Sequence, residues 1–374
     1  MSKRRKIASD PETADGEGLL VALERRGISR REFVKYCAII GAALAIPVDQ
    51  IGGIAEALAS VRRPPVLWLE FQDCAGCSES FLRASRPTVA EIVLDVLSVD
   101  YHETIMAAAG KQAEEAKEAT IKAGGHLVVV EGSIPTKEGG LYCCIGGRTA
   151  KELLEEAAHG AAAVIAVGSC ASFGGLAAAE PNPTGAVGVR DLVEGVPVIN
   201  LPGCPVNVVN ITATIVHYLT YKFLPELDTY GRPLFAYGKR IHDNCERRPH
   251  FDAGQFVEAW GDEGHRKGWC LYKMGCKGPE CYSNCPTVRW NEGVNWPVGA
   301  GHGCVGCTQP GFWDAMTPFY RRLPEVPGFS VESTADDVGV GLAAVAAAGV
   351  AAHVVGSVLR RKTGKAEETK VREG

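Results

Sequence analysis

The chain carries 14 cysteines, and their grouping is the first chemical statement it makes. Cys74-x-x-Cys77 is followed at long range by the single residues Cys170 and Cys204. His242-x-x-Cys245 precedes Cys270 and Cys276, so one imidazole and three thiols make a second set of four. Cys285 and Cys304-x-x-Cys307 form a third set, with Pro297 standing where a fourth ligand is expected. Thiolate and neutral imidazole are the donors that zinc and iron–sulfur centres take, and sulfur ligands alone do not separate the two. Three sets in one chain argue for electron transfer, because one structural zinc suffices to staple a small region. A disulfide scaffold is a poor reading, since 14 thiols among 374 residues are too sparse for it.

These residues need elements to hold them. Val66-Leu67-Trp68-Leu69 runs into Asp73-Cys74-Ala75-Gly76-Cys77, and Leu127-Val128-Val129-Val130 into Glu131-Gly132-Ser133. Ala163 to Val167 runs into Gly168-Ser169-Cys170, and Val198 to Leu201 into Pro202-Gly203-Cys204. Short apolar strands, each closed by a glycine-bearing turn and separated by helical stretches such as Glu114 to Lys122 and Lys151 to Ala158, predict a doubly wound parallel α/β sheet. Ligands in such sheets sit beyond the carboxyl ends of the strands, so Cys74, Cys77, Cys170 and Cys204 are expected to converge on one edge. Glycine there lets backbone N–H groups approach the sulfurs, which suits a bulky anionic cluster; a zinc with four cysteine ligands is the competing reading. After about residue 233 the strand pattern fades, and Gly, Pro, Trp and Cys become dense. The expected divisions are therefore an α/β domain over 60–232 and a loop-rich domain over 233–330 that carries the second and third sets.

Both termini read as membrane signals. Ser29-Arg30-Arg31-Glu32-Phe33-Val34-Lys35 is a twin-arginine pattern, followed by an apolar run and by Ala57-Leu58-Ala59, so 1–59 is expected to be an export signal. That route moves proteins already folded, which lets metal-bound thiols form in the reducing cytosol before export. Residues 338–359 contain no Asp, Glu, Lys or Arg, and as a helix would be about 33 Å long, enough for a bilayer core. Arg360, Arg361 and Lys362 follow, which leaves the tail 360–374 cytoplasmic and the body outside. A net charge of −5 offers no basic surplus for nucleic acid.

From Val66 to about Tyr320 the chain resembles the small subunit of membrane-bound uptake nickel–iron hydrogenases. The resemblance rests on Asp73-Cys74-Ala75-Gly76-Cys77-Ser78-Glu79-Ser80, Pro181-Asn182-Pro183-Thr184-Gly185, His242 to Gly254, Gly275-Cys276-Lys277-Gly278-Pro279 and Asn295-Trp296-Pro297-Val298. It implies a flavodoxin-like sheet domain, a cluster domain and a C-terminal transmembrane helix. It also implies a proximal 4Fe–4S cluster on Cys74, Cys77, Cys170 and Cys204, and a medial 3Fe–4S cluster on Cys285, Cys304 and Cys307. The distal 4Fe–4S cluster falls on His242, Cys245, Cys270 and Cys276. The implied partners are a large subunit that splits hydrogen on nickel and iron, and a cytochrome b or other quinone-linked acceptor in the membrane; the implied place is the periplasmic face. No acid, base or nucleophile is expected in this chain. A cluster-bearing subunit of a quinone reductase related to respiratory complex I is the alternative, and the His242 set and the Cys304 pair speak against it.

Four cysteines remain. Cys37 lies inside the export signal. Cys143 and Cys144 sit in an apolar stretch and are expected to pack as small hydrophobes, while Cys281, between two sets, is expected to be idle rather than a replacement ligand in a rebuilt medial site. Trp260, Trp269, Trp290, Trp296 and Trp313 are expected to pack the loop-rich half.

Overall fold

The computed structural model describes residues 63–321, except 86–87, 90–91, 93–96, 222 and 292, together with 340–357 and Lys35, Cys37, Ala38 and Gly41. The rest of the expected export signal and the tail after 360 lie outside the described residues. The chain divides into two compact units, Met1–Cys245 with Gly275–Leu323, and Glu246–Met274 with Pro324–Gly374. The 233–330 stretch is thus shared between them.

The first unit is built on five parallel strands: β1 (Pro65–Glu70), β2 (Ser98–His102), β3 (Leu127–Glu131), β4 (Ala163–Val167) and β5 (Val198–Leu201). Their order is β2-β1-β3-β4-β5, the flavodoxin-like arrangement. Four of the five follow the apolar runs of the sequence. The edge strand β2 does not announce itself, because Ser98, Asp100 and His102 break its apolar pattern and it pairs on one side only.

Alternation sends each strand's side chains to two cores. Val66, Trp68, Val129, Ile165 and Ile199 pack with Ile211, Ile215 and Leu219 of helix α5 (Val208–Tyr221). Leu67, Val128, Val130 and Val164 pack on the opposite face with Leu153, Leu154 and Ala157 of α3 (Ala150–Ala158). Burial on both faces is why these strands are apolar throughout; each fully buried Val, Leu or Ile side chain contributes about 1.5–3 kcal/mol. Thr149 starts α3 with a capping box, its side chain taking the Glu152 N–H while Glu152 returns to the Thr149 N–H. Helices α1 (Gly76–Leu82) and α4 (Gly168–Phe173) begin at the ends of β1 and β4, and α2 (Lys111–Ala123) precedes β3.

Register brings the strand ends level: Glu70 pairs with Glu131, Glu131 with Val167, and Val167 with Leu201. Whatever follows these residues therefore emerges along one edge.

In the second unit Phe251, Phe256, Cys270 and Tyr272 form a small apolar cluster, with Phe256 bridged to Cys270. The unit also holds the short helices Arg248–Asp252 and Glu263–Arg266 and the helix Val340–Ser357, none of whose apolar window is buried. Trp260 departs from the expected packing: it is 47% exposed and meets His265 edge-on. Cys144 also departs, being exposed while Cys143 leans on a core cluster. Cys144 opens a two-residue antiparallel ladder with Thr149, and successive residues there face opposite ways.

Candidate metal centres

The turn after β1 bends through Ala75, whose φ of 56° places it in the left-handed region, and delivers Cys74 and Cys77 at the start of α1. Cys170 lies in the first turn of α4, and Cys204 follows β5 by three residues. The four thiols meet. Cys77 is held well above the ordinary thiol range by burial first, then by the charges of Glu131, Cys170 and Cys204. Burial lifts Cys170 to about 11, with Cys204 and Cys74 adding to the rise. Thiols that repel one another in this way ionise together only around a cation, so loading with metal must release protons.

Glycine shapes the cradle. A Cβ at Gly168, where φ is +86°, would stand 2.5 Å from Cys77 Sγ, and one at Gly175 would collide with Cys170 Sγ. A Cβ at Gly76 would stand 3.1 Å from Cys74 Sγ. Among the described residues, Glu70, Asp73 and Glu131 bring carboxylate oxygens within 4.8 Å of one another beside these thiols.

The third set lies in the same unit. Cys285 opens the short helix Cys285–Val288, its Sγ 3.1 Å from Ser283 Oγ. Burial pushes its thiol to about 11. Cys304 accepts the Gly306 N–H at 3.3 Å, and Cys307 is held well above the thiol range by burial, with Cys281 and Cys285 adding to it. A cavity of about 1210 Å³ is lined by Gly76, Cys204, Cys285, Pro297 and Cys307 among others. It joins one ligand of the first set to two of the third, with Pro297 on its wall.

Two contacts link the sets. Ser169 Oγ donates to the Cys307 carbonyl oxygen and accepts the Gly203 N–H at 3.0 Å, next to Cys204. On the other side the Cys304 N–H donates to Cys276 Sγ at 3.2 Å. Of the second set, His242, Cys245 and Cys276 belong to the first unit. His242 is buried in the short helix Ile241–Asn244, and the charge of Cys245 reaches Cys276. Cys270 belongs to the second unit, its N–H donating to Gln255 at 3.1 Å.

Sequence reasoning passed over one feature and read a second as idle. Glu131, at the end of β3 and 2% exposed, accepts the N–H of Cys77 at 2.8 Å and of Ser78 at 2.9 Å, and the Ser78 hydroxyl at 2.6 Å. It caps α1 from 54 residues away in sequence, where Ala75 supplies no side-chain cap. Burial first, then Asp73 and Glu70, raises its pKa. A charged residue closing a wholly apolar strand at the ligand edge was the available signal. The other feature is Cys281, which is 1% exposed, its Sγ 3.0 Å from Thr308 Oγ1.

A doubly wound sheet with thiols gathered beyond its strand ends and in the loops that follow it defines a thiol-rich α/β chain. Residues 237–320 match the family model for the C-terminal part of the NiFe/NiFeSe hydrogenase small subunit, and residues 74–218 match that for the NADH ubiquinone oxidoreductase 20 Kd subunit. The uptake hydrogenase small subunit of Azotobacter vinelandii is 49% identical over 347 residues, 92% of this chain and 97% of that one. The hydrogenase-1 small chain of Escherichia coli K12 is 45% identical over 343 residues, 91% and 92% of the two. Among solved structures, the NiFeSe hydrogenase of Desulfomicrobium baculatum aligns with a TM-score of 0.66 at 37% identity, over 70% of this chain and all of that one. The actinobacterial-type NiFe-hydrogenase of Ralstonia eutropha H16 aligns with a TM-score of 0.65 at 29% identity, over 73% and 85%. The chain belongs to the small subunits of nickel–iron hydrogenases. Such subunits carry iron–sulfur clusters and pair with a large subunit that contains the active site.

Proposed function

We propose that this chain conducts electrons from hydrogen oxidation in its large subunit through three clusters to an acceptor in the membrane. Cys74, Cys77, Cys170 and Cys204 hold a proximal 4Fe–4S cluster, Cys285, Cys304 and Cys307 a medial 3Fe–4S cluster, and His242, Cys245, Cys270 and Cys276 a distal 4Fe–4S cluster. The observation that carries the reading is a pair of hydrogen-bonded links, Gly203 through the Ser169 hydroxyl to Cys307 and Cys304 to Cys276, which make residues of successive sets neighbours. Each cluster, when bound, takes up and releases one electron at a time. The protein's part is to space the sets, hold water off the buried thiolates and set their charge. His242 brings no negative charge, so it leaves the distal site less anionic than four thiolates do. Pro297 brings no donor, so three thiolates anchor the medial site.

The membrane side of the proposal rests on Val340–Ser357, which is apolar and exposed along its length. It anchors the protein in the membrane, where a cytochrome b or another quinone-linked carrier accepts the electrons. Arg30 and Arg31 direct export by the twin-arginine route to the periplasmic face. Gly76 and Gly175 stand where oxygen-tolerant relatives of the resembled family carry extra cysteines, so the proximal site has four thiolates only and hydrogen oxidation is expected to fail in air.

The test is spectroscopic. The purified heterodimer should contain on the order of eleven irons in this chain, show a 3Fe–4S paramagnetic signal when oxidised, and lose that signal in Pro297→Cys as a fourth iron is retained. Iron for one cluster only, or zinc in the thiol sites, overturns the reading.

A further inference from the structure

Arg232 is a buried cation for which the ligand assignment has no use. Its side chain is 4% exposed and pairs with Asp228, Nε donating to Oδ2 at 2.7 Å. Asp228 is fixed by the turn it opens, its Oδ1 accepting the N–H groups of Tyr230 and Arg232 at 2.9 Å each. Asn200 of β5 ties that turn to the sheet edge, its N–H donating to the Gly231 carbonyl oxygen and its Nδ2 to that of Tyr230, both at 2.8 Å. The guanidinium lies over the rings of Tyr230, Tyr237 and Tyr282, at 5.0, 5.8 and 5.8 Å from their centroids. Three aromatic faces hold a cation and keep water from it.

The remaining donors of Arg232 reach the third thiol set. Nη1 donates to the Thr308 carbonyl oxygen at 3.1 Å, and Thr308 directly follows Cys307. Peptide geometry keeps that nitrogen within about 12 Å of Cys307 Sγ. Tyr282, one of the three rings, precedes Ser283, whose Oγ is 3.1 Å from Cys285 Sγ. Tyr237 donates its hydroxyl to the Pro202 carbonyl oxygen at 2.8 Å, so the aromatic cage runs from the end of β5 to the medial loop. Asp228 is the more exposed partner at 17%, so water screens its charge more than that of Arg232. The pair is a fixed dipole with its positive end against the medial loop. A buried ion pair does not as a rule repay its own desolvation, so stability alone is a poor account of it.

We propose that Arg232 raises the reduction potential of the medial cluster by holding its positive charge against the loop that carries Cys307, and that Asp228 positions and moderates this charge. The reduced cluster carries one more negative charge than the oxidised one, and a fixed cation favours the more negative form. One electron enters or leaves the cluster, while Arg232 keeps its proton throughout. The role rests on Cys285, Cys304 and Cys307 being the medial ligands.

Redox-poised paramagnetic titration of the medial signal in the intact heterodimer tests it. A full charge about 12 Å away, at an effective dielectric constant of about 20, changes the oxidised-to-reduced ratio about tenfold, and Asp228 offsets part of this. At the wild-type midpoint the ratio should therefore rise about threefold in Arg232→Met, a fall of about 28 mV for a one-electron couple, with iron content unchanged. Asp228→Asn, which keeps an acceptor for the two turn N–H groups, should move the ratio about threefold the other way. Arg232→Lys, which keeps the charge, should stay near wild type. Arg232 acting only as a clamp on the loop gives no such opposed pair of shifts. Should Arg232→Met fail to assemble, Asp228→Asn carries the test. An unchanged midpoint in Asp228→Asn, or shifts of one sign in both charge-removing variants, overturns the proposal. Absence of the 3Fe–4S signal from wild type overturns the ligand assignment itself, and an iron count distinguishes that failure from the others.

Discussion

Replacing Glu131 by alanine should loosen α1 and empty the proximal site while leaving the sheet in place. The carboxylate is the acceptor for the second and third N–H groups of α1 and for the Ser78 hydroxyl. A buried donor left without a partner costs about 1–3 kcal/mol, so two backbone groups set the loss at about 2–6 kcal/mol. Removing the carboxylate also removes its own burial and its repulsion from Asp73 and Glu70, the causes that raise its pKa. A net loss of about 3 kcal/mol in the local stability of α1 is the result, and at 1.4 kcal/mol per factor of ten it quickens amide exchange about a hundredfold. Hydrogen exchange read by mass spectrometry over 76–82, compared with 163–167 as an internal control, measures it. Glu131→Gln keeps one acceptor oxygen and should lie between, at about a tenfold change. Iron analysis should show the proximal cluster depleted in the alanine variant and the medial signal retained. Unchanged exchange over α1 together with full proximal iron would refute the capping role.

Gly168→Ala combines a φ of +86°, which costs a non-glycine residue about 1–2 kcal/mol, with a Cβ placed 2.5 Å from Cys77 Sγ, so it should displace that thiolate; iron analysis should find about four fewer atoms per chain, and full iron would defeat the steric argument. Glu103 has its pKa raised to about 7 by burial, so its contribution to stability is present below about pH 4.5 and lost as pH rises through 7. Glu103→Gln, which keeps an acceptor for the Glu70 N–H, should therefore add about 3 kcal/mol at pH 8 and under about 1 kcal/mol at pH 5 in exchange-derived stability of β1 and β2; a gain independent of pH would contradict the assignment. Truncation after Glu332 removes a helix with none of its apolar window buried, so the heterodimer should become soluble and still reduce artificial dyes while losing quinone reduction in membranes. Loss of dye activity with the helix would show that it supports the fold.

Much of this protein is legible in its sequence because the relevant signals are local. Apolar strands closed by glycine turns gave away four of the five strands, and a strand buried on both faces can have no other composition. The same turns hold Cys74, Cys77, Cys170 and Cys204, so their convergence follows from parallel topology alone. The second and third sets were legible as spacings, and the C-terminal helix as an apolar run. Tertiary structure decided what spacing cannot carry. Glu131 caps α1 only because register sets the end of β3 beside the end of β1. Cys143 and Cys144 are neighbours of one type, yet Cys143 leans on the core while Cys144, in a short ladder with Thr149, is exposed. Cys281 reads as idle between two sets, since nothing in its neighbours points to Thr308, more than twenty positions away. Burial and long-range pairing act on residues that chain order keeps apart, and only the folded chain brings that thiol against the Thr308 hydroxyl.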